Sequence, residues 1–273
     1  MRWGVIGTGN MGSILIDAWV SKNVVDEENI WIHNRTLAKA FDIKDRYSKL
    51  NVCTTADKVV KNTDIIFICV KPLQVLPLLK QLKPYIHENH CIISITSPVS
   101  IEELETVVPC QTGRVIPSIT NRAGFGVTLT TFSDKMDETL KAYLIQSLKL
   151  FSNPVDIDES ITRVSSDIVS CGPAFISYLL QSFIKAAKEY ANLEVEKGYK
   201  LAEQMIIGFG KLLEEGYYTL ETLQEKVTVK GGVTGAGLKV LDEELGDLFL
   251  HVLEATHEKY GEDKSGVSQQ LPT

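Results

Sequence analysis

The sequence predicts an α/β protein in two parts: a parallel sheet covered by helices over residues 1–158, then an all-helical domain over 159–273. Three observations carry this. Up to about residue 155, short apolar runs alternate with helical patterns, as in a parallel sheet covered on both faces. After about residue 158 the strand-like runs stop. And Gly7, Gly9 and Gly12 form a G-x-G-x-x-G directly behind the first apolar run.

Taken in order, the candidate strands are Arg2–Ile6, Ile30–His33, Val52–Cys53, Ile65–Val70, Cys91–Ile95 and Thr112–Val115, with Gly126–Thr131 extending the sheet. Helix-like segments fall near 10–21, 36–49, 56–61, 73–83, 100–107 and 135–151. In the second part, Phe175–Ala191 and Tyr199–Leu213 carry apolar residues at helical spacing, followed by 219–227, 234–244 and 246–260. A long, strongly apolar helix in a small helical domain commonly packs against another subunit, so a homodimer or higher homo-oligomer is expected. The tail after Gly261 is polar and expected to fray.

The glycine triplet gains meaning from its place. It closes the first strand and opens a stretch with Met11, Ile14, Leu15, Ala18 and Trp19 on an apolar face, the setting of a Rossmann-like dinucleotide loop. The first glycine permits the tight turn, the second lets a pyrophosphate approach the backbone, and the third lets the helix pack close. The helix N-terminus then faces the anion. An ordinary strand–helix turn is the plainer alternative.

The chain has 273 residues, 44% hydrophobic and 23% charged, with a net charge of −7. It has no dense Lys/Arg cluster, which argues against a nucleic-acid partner. Its longest uninterrupted apolar run, Ile65–Val70, is too short for a bilayer, so no membrane partner is expected. The cysteines, Cys53, Cys69, Cys91, Cys110 and Cys171, are odd in number and lack metal or redox spacing. They read as small buried hydrophobes of a reducing cytoplasm, and no metal site is expected. A strand beginning at residue 2 leaves no room for a signal peptide.

The residue reading the adenine ribose belongs at the end of the second strand. There the chain has Asn34-Arg35-Thr36, with no acid to repel a 2′-phosphate and an arginine able to pair with one. This favours NADP, with NADPH preferred over NADH. The alternative makes Arg35 a surface charge and Thr36 a helix N-cap. The fourth strand ends in Val70-Lys71-Pro72; Pro72 suits the first turn of a helix, and Lys71 either assists a phosphate or faces solvent. Farther on, Gly231-Gly232-Val233-Thr234 precede an apolar helix and make a second potential anion nest, able to hold a substrate carboxylate. The plainer alternative is a helix–helix connection capped by Thr234.

Together these segments resemble the pyrroline-5-carboxylate reductase family along nearly the whole chain. Gly7-Thr8-Gly9-Asn10-Met11-Gly12 resembles its cofactor loop, and Val70-Lys71-Pro72 its Val-Lys-Pro step. Arg114-Val115-Ile116-Pro117 resembles Arg-x-Met-Pro-Asn, and Gly172-Pro173-Ala174-Phe175 the start of its dimerisation helix. Residues 231–234 resemble Gly-Gly-x-Thr of its signature. The resemblance implies an NAD(P)H-dependent reduction of a cyclic imine, 1-pyrroline-5-carboxylate, to proline. It makes Gly7, Gly9, Asn10, Met11, Gly12, Asn34, Arg35, Val70, Lys71 and Pro72 cofactor-binding. It makes Gly231, Gly232, Val233 and Thr234 substrate-binding; the candidate catalytic residues are Thr234, at the family's substrate-contacting threonine, and Lys230, a cation that the family pattern lacks and that could recruit a more acidic substrate. The substrate would be a small imine or amino-acid-like molecule.

The sequence also departs from the family pattern. Val229-Lys230 replace Ser-Pro, Ser118 and Thr120 replace Asn and Pro, Ser170-Cys171-Gly172 replace Gly-Ser-Gly, and Thr96-Ser97-Pro98 replace Ala-Ala-Gly. This set resembles the divergent late competence operon branch of the family. It motivates an alternative function, a catalytically weakened NADP-binding regulatory protein in a competence or developmental setting. A hydroxyacid dehydrogenase of similar architecture would place lysine in Gly-x-x-Gly-x-x-x-Lys; Gly172–Ala187 carries Lys185 without that spacing.

Overall fold

The computed structural model describes residues 1–271. Its strands are β1 (Trp3–Ile6), β2 (Ile30–His33), β3 (Asn51–Val52), β4 (Ile65–Ile68), β5 (Cys91–Ser94), β6 (Gln111–Ile116), β7 (Val127–Phe132) and β8 (Asn153–Asp156). The helices accompanying them are α1 (Asn10–Ser21), α2 (Leu37–Arg46), α3 (Ala56–Asn62), α4 (Pro72–Leu82), α5 (Ile101–Val107) and α6 (Glu138–Lys149). Then follow α7 (Thr162–Ser166), α8 (Gly172–Ala191), α9 (Val195–Glu214), α10 (Leu220–Val227), α11 (Val233–Leu245) and α12 (Leu248–Ser268).

One eight-stranded sheet runs β3-β2-β1-β4-β5-β6-β7-β8. Strands β1 to β6 are parallel, β7 is antiparallel to β6, and β8 is parallel to β7. Chain order reverses between β1 and β4, so the crevice above their carboxyl ends is a topological switch point. Ile6 pairs with both His33 and Ile68, which brings the loops after β1, β2 and β4 to one edge.

The strand alternation divides two apolar layers. Trp3, Val5 and Phe67 pack with Leu15, Trp19 and Leu144 on one face. Ile6, Ile66 and Ile68 pack with Val75, Leu79 and Ile92 on the other. The Trp3 and Trp19 rings meet edge-to-face at 4.7 Å. Burying each such ring removes a large apolar area from water and contributes about 2–3 kcal/mol. Helix starts are set locally: Ser100 and Glu103 form a capping box on α5, and Asp137 accepts from the Leu140 N–H at 3.0 Å on α6.

By contact the chain forms two compact units, Met1–Pro173 with the segment from Ala255 onward, and Ala174–Glu254. The strands do end near residue 156, but the helical residues up to Pro173 still pack with the sheet unit. The fraying expected after Gly261 is corrected. α12 continues to Ser268, and Val267 is fully buried in the second apolar layer. The Ser268 hydroxyl also donates to Glu103 Oε1 at 2.8 Å.

The second unit taken alone has little interior. Gly198 lets α9 approach α8, since a Cβ there would lie 2.6 Å from Ile184 Cγ2. Tyr178, Phe183, Tyr190, Leu201, Ile207 and Val233 all stand exposed. The stretch Glu159–Ala191 is long and apolar enough by composition to cross a bilayer, a feature that counting uninterrupted apolar runs does not detect.

Candidate functional site

The glycine loop is built by three different demands. Gly7 has φ +105°, and a Cβ on it would lie 2.3 Å from the Cys69 carbonyl oxygen. A Cβ on Gly12 would lie 2.1 Å from the Gly7 carbonyl oxygen, so the first turn of α1 rests directly on the loop. Gly9 has no protein atom within 4 Å of a Cβ position and leaves open space at the N-terminus of α1. The Gly7 N–H donates to His33 O at 2.8 Å, tying the loop to β2.

Asn34 continues that tie. Its Oδ1 accepts from the Thr8 N–H at 3.0 Å, and its Nδ2 donates to Thr36 O at 3.0 Å. Asn34 therefore shapes the glycine loop as well as facing the crevice. Thr36 does occupy the N-cap of α2, but no side-chain bond caps the helix. The Thr8 hydroxyl is buried without a hydrogen-bond partner among the described residues, an unsatisfied donor in the loop itself.

A cleft of about 540 Å³ opens here. Gly7, Gly9, Asn34, Arg35, Val70 and Lys71 all line it. Asn10, Met11 and Gly12 form the adjoining first turn of α1, and Pro72 opens α4 at its first position. The cleft lining also contains Lys39, on α2, and the α4 face Leu73, Gln74, Pro77 and Gln81. Sequence reading missed these, although their spacing along one helix face signals a shared surface. No acid lines the cleft, and Arg35, Lys39 and Lys71 are exposed and in no ion pair among the described residues. A locally cationic cleft on an acidic chain suits an extended polyanion. Cys69 sits in this wall, and burial pushes its thiol above the usual range.

The sequence positions that depart from the family pattern carry bonds of their own. The Ser118 hydroxyl donates to Val169 O at 2.8 Å, and Ser170 donates to Pro117 O at 3.1 Å. Together they stitch the end of β6 to the residues before α8. Arg114, 1% exposed, pairs with Glu159 at 2.5 Å and donates to Thr162 Oγ1 at 2.7 Å and Ser97 O at 3.3 Å. Nearby, Asp167 is almost wholly buried against Arg163 at 2.8 Å and accepts from the Thr256 hydroxyl at 2.8 Å. Arg163 and Asp167 stand four residues apart, a local ion-pair spacing, whereas Thr256 comes from α12 and leaves no local sequence signal.

The second glycine pair lies in the helical unit. Gly231 has φ +76°, and the Gly232 N–H donates to Val229 O at 2.8 Å, closing a turn before α11. Gly232, not Thr234, is the N-cap, and no side chain caps the helix. Thr234 is the second helical residue and half-buried, while Lys230 and Val233 are exposed. The first-turn N–H groups of α11 thus lack intrahelical partners, as an anion nest requires. All five thiols are free, and no group of three or more His, Cys, Asp or Glu able to hold a metal occurs among the described residues.

Residues 159–263 match the family described as pyrroline-5-carboxylate reductase dimerisation. Residues 2–98 match that described as NADP oxidoreductase, coenzyme F420-dependent. ComE operon protein 4 of Bacillus subtilis (strain 168) is 50% identical over 271 residues, covering 99% of both chains. Pyrroline-5-carboxylate reductase 3 of the same organism is 30% identical over 258 residues, covering 94% of each. Among solved structures, the pyrroline-5-carboxylate reductase of Coxiella burnetii superimposes with a TM-score of 0.85 at 23% identity, over 96% of this chain and 98% of that one. The Plasmodium falciparum pyrroline carboxylate reductase with NADP bound gives 0.82 at 23% identity, over 98% of each. With one fold, one order of glycine motifs and a reductase relative matched almost end to end, the chain belongs to the pyrroline-5-carboxylate reductase family.

Proposed function

We propose that the chain is an NADPH-dependent reductase of a small cyclic imine bearing a carboxylate, most simply 1-pyrroline-5-carboxylate. The observation that carries this reading is the acid-free cationic cleft built on the glycine loop, with its open Gly9 and its unsatisfied Thr8 hydroxyl. A bound nicotinamide dinucleotide would supply a hydride. The backbone at Gly9 and the first turn of α1 would hold its pyrophosphate, and Arg35 with Lys39 would take a 2′-phosphate. The first-turn amides of α11 and the Thr234 hydroxyl would hold the substrate carboxylate. A protonated imine is already a good acceptor, so orientation is the main task and little acid–base machinery is required. The open apolar faces of the helical unit would be covered by a second copy, which makes the working protein a cytoplasmic homo-oligomer.

The exposed Lys230 and the structural use of Ser118 and Ser170 support a second reading, in which NADP is bound but turnover is weak. The 50% identity to ComE operon protein 4 is compatible with that second reading, an NADP-binding regulatory protein. Thr234→Ala tests the proposed substrate role of the α11 turn. It is expected to raise KM for the imine about ten-fold or more with dinucleotide affinity unchanged. An unchanged KM would leave Thr234 as a mere helix residue.

A further inference from the structure

The α4 wall of the dinucleotide cleft contains a proline. Pro77 lies inside α4, and it has no N–H. In a regular helix that N–H would donate to the carbonyl of residue 73, four positions earlier. Leu73 O is therefore left without its helical donor in the segment where Leu73, Gln74 and Pro77 line the cleft. The missing donor comes from far away in sequence. Gln270 Nε2 donates to Leu73 O at 3.0 Å. Lys80, one turn beyond Pro77 on the same helix, in turn donates to Gln270 O. The docking is specific in shape as well. A Cβ on Gly266 would lie 2.8 Å from Leu73 Cδ2, so only glycine lets α12 seat against this side chain without moving it. One residue later, fully buried Val267 anchors the segment beside Val75, Leu76 and Leu79.

We infer that Gln270 is a positioning residue for the dinucleotide cleft: it replaces the hydrogen bond that Pro77 removes from α4 and so fixes the wall formed by Leu73 and Gln74. The inference rests on the dinucleotide reading of the cleft for its effect on affinity, but not for its effect on α4.

The test is a double-mutant cycle, because Pro77→Ala gives α4 its own donor to Leu73 O. NADPH binding is measured by calorimetry on the full chain, and amide hydrogen exchange over residues 73–82 is followed in the protein without nucleotide. Gln270→Ala is expected to weaken NADPH about three- to ten-fold and to speed exchange in α4. In the Pro77→Ala background the same change is expected to alter neither. Gly266→Ala supplies an independent readout: it should weaken NADPH while the melting temperature holds or rises, since alanine favours the helix. Equal losses from Gln270→Ala in both backgrounds, or unchanged α4 exchange, would overturn the inference. An unmodified chain that binds no dinucleotide would instead refute the cleft reading, with the exchange data still deciding the role of Gln270.

Discussion

Gly9 and Gly12 are the same residue type three positions apart, yet they serve opposite ends. Gly12 is required by the protein, because any Cβ meets the Gly7 carbonyl oxygen at 2.1 Å. Gly12→Ala is expected to cost about 2–3 kcal/mol of stability, read as a fall in melting temperature. Gly9 faces open space with φ −73°, a conformation any residue adopts. Gly9→Ala should leave stability within about 0.5 kcal/mol and weaken dinucleotide binding at least ten-fold by calorimetry. Arg35 makes a third contrast. Unpaired among the described residues, it is expected on alanine substitution to weaken NADPH by about 1–2 kcal/mol and NADH hardly at all. Equal weakening of both would remove the 2′-phosphate role.

Among the elements, the turn before β5 carries a pH signature. His90 is 3% exposed, and its Nδ1 accepts from the His87 N–H at 3.0 Å with the two rings stacked at 3.6 Å. Burial, then the neighbouring His87, hold its pKa below the usual histidine value. The unfolded chain therefore takes up a proton near pH 6.5 that the native state resists. Stability is full above that value and declines as pH falls through 6.5 toward the native pKa. Thermal melts between pH 8 and about 5.5 should show the decline, and His90→Gln should flatten it. Glu105, held low first by its bond to Lys135, loses its share only below its ordinary value of 4.5.

The same elements mark how far the sequence could be read. β2 and α1 match their expected bounds residue for residue, because apolar runs and the glycine loop delimit them. β8 escaped because Asn153–Asp156 is an edge strand with Pro154 inside it and no buried face. The end of α12 escaped because its polar surface hides the single buried Val267. In the candidate site, Gly7, Gly9, Asn34, Arg35, Val70 and Lys71 line one cleft as their motifs suggest, whereas Lys39 enters it only through the tertiary placement of α2, which no local pattern encodes.

At the scale of the molecule, a sheet unit with two full apolar layers is joined to a helical unit that leaves Tyr178, Phe183 and Tyr190 open to solvent. If a second copy covers that surface, Phe183→Asp should lower the assembly state in sedimentation and lower the melting temperature with it. Unchanged sedimentation would mean that the face has another use. The proposed activity is an NADPH-dependent reduction of a cyclic imine. Its most direct test is oxidation of NADPH and NADH, side by side, in the presence of 1-pyrroline-5-carboxylate. Proline formation with NADPH favoured is the expected result; tight NADPH binding without turnover above background at millimolar imine would contradict it.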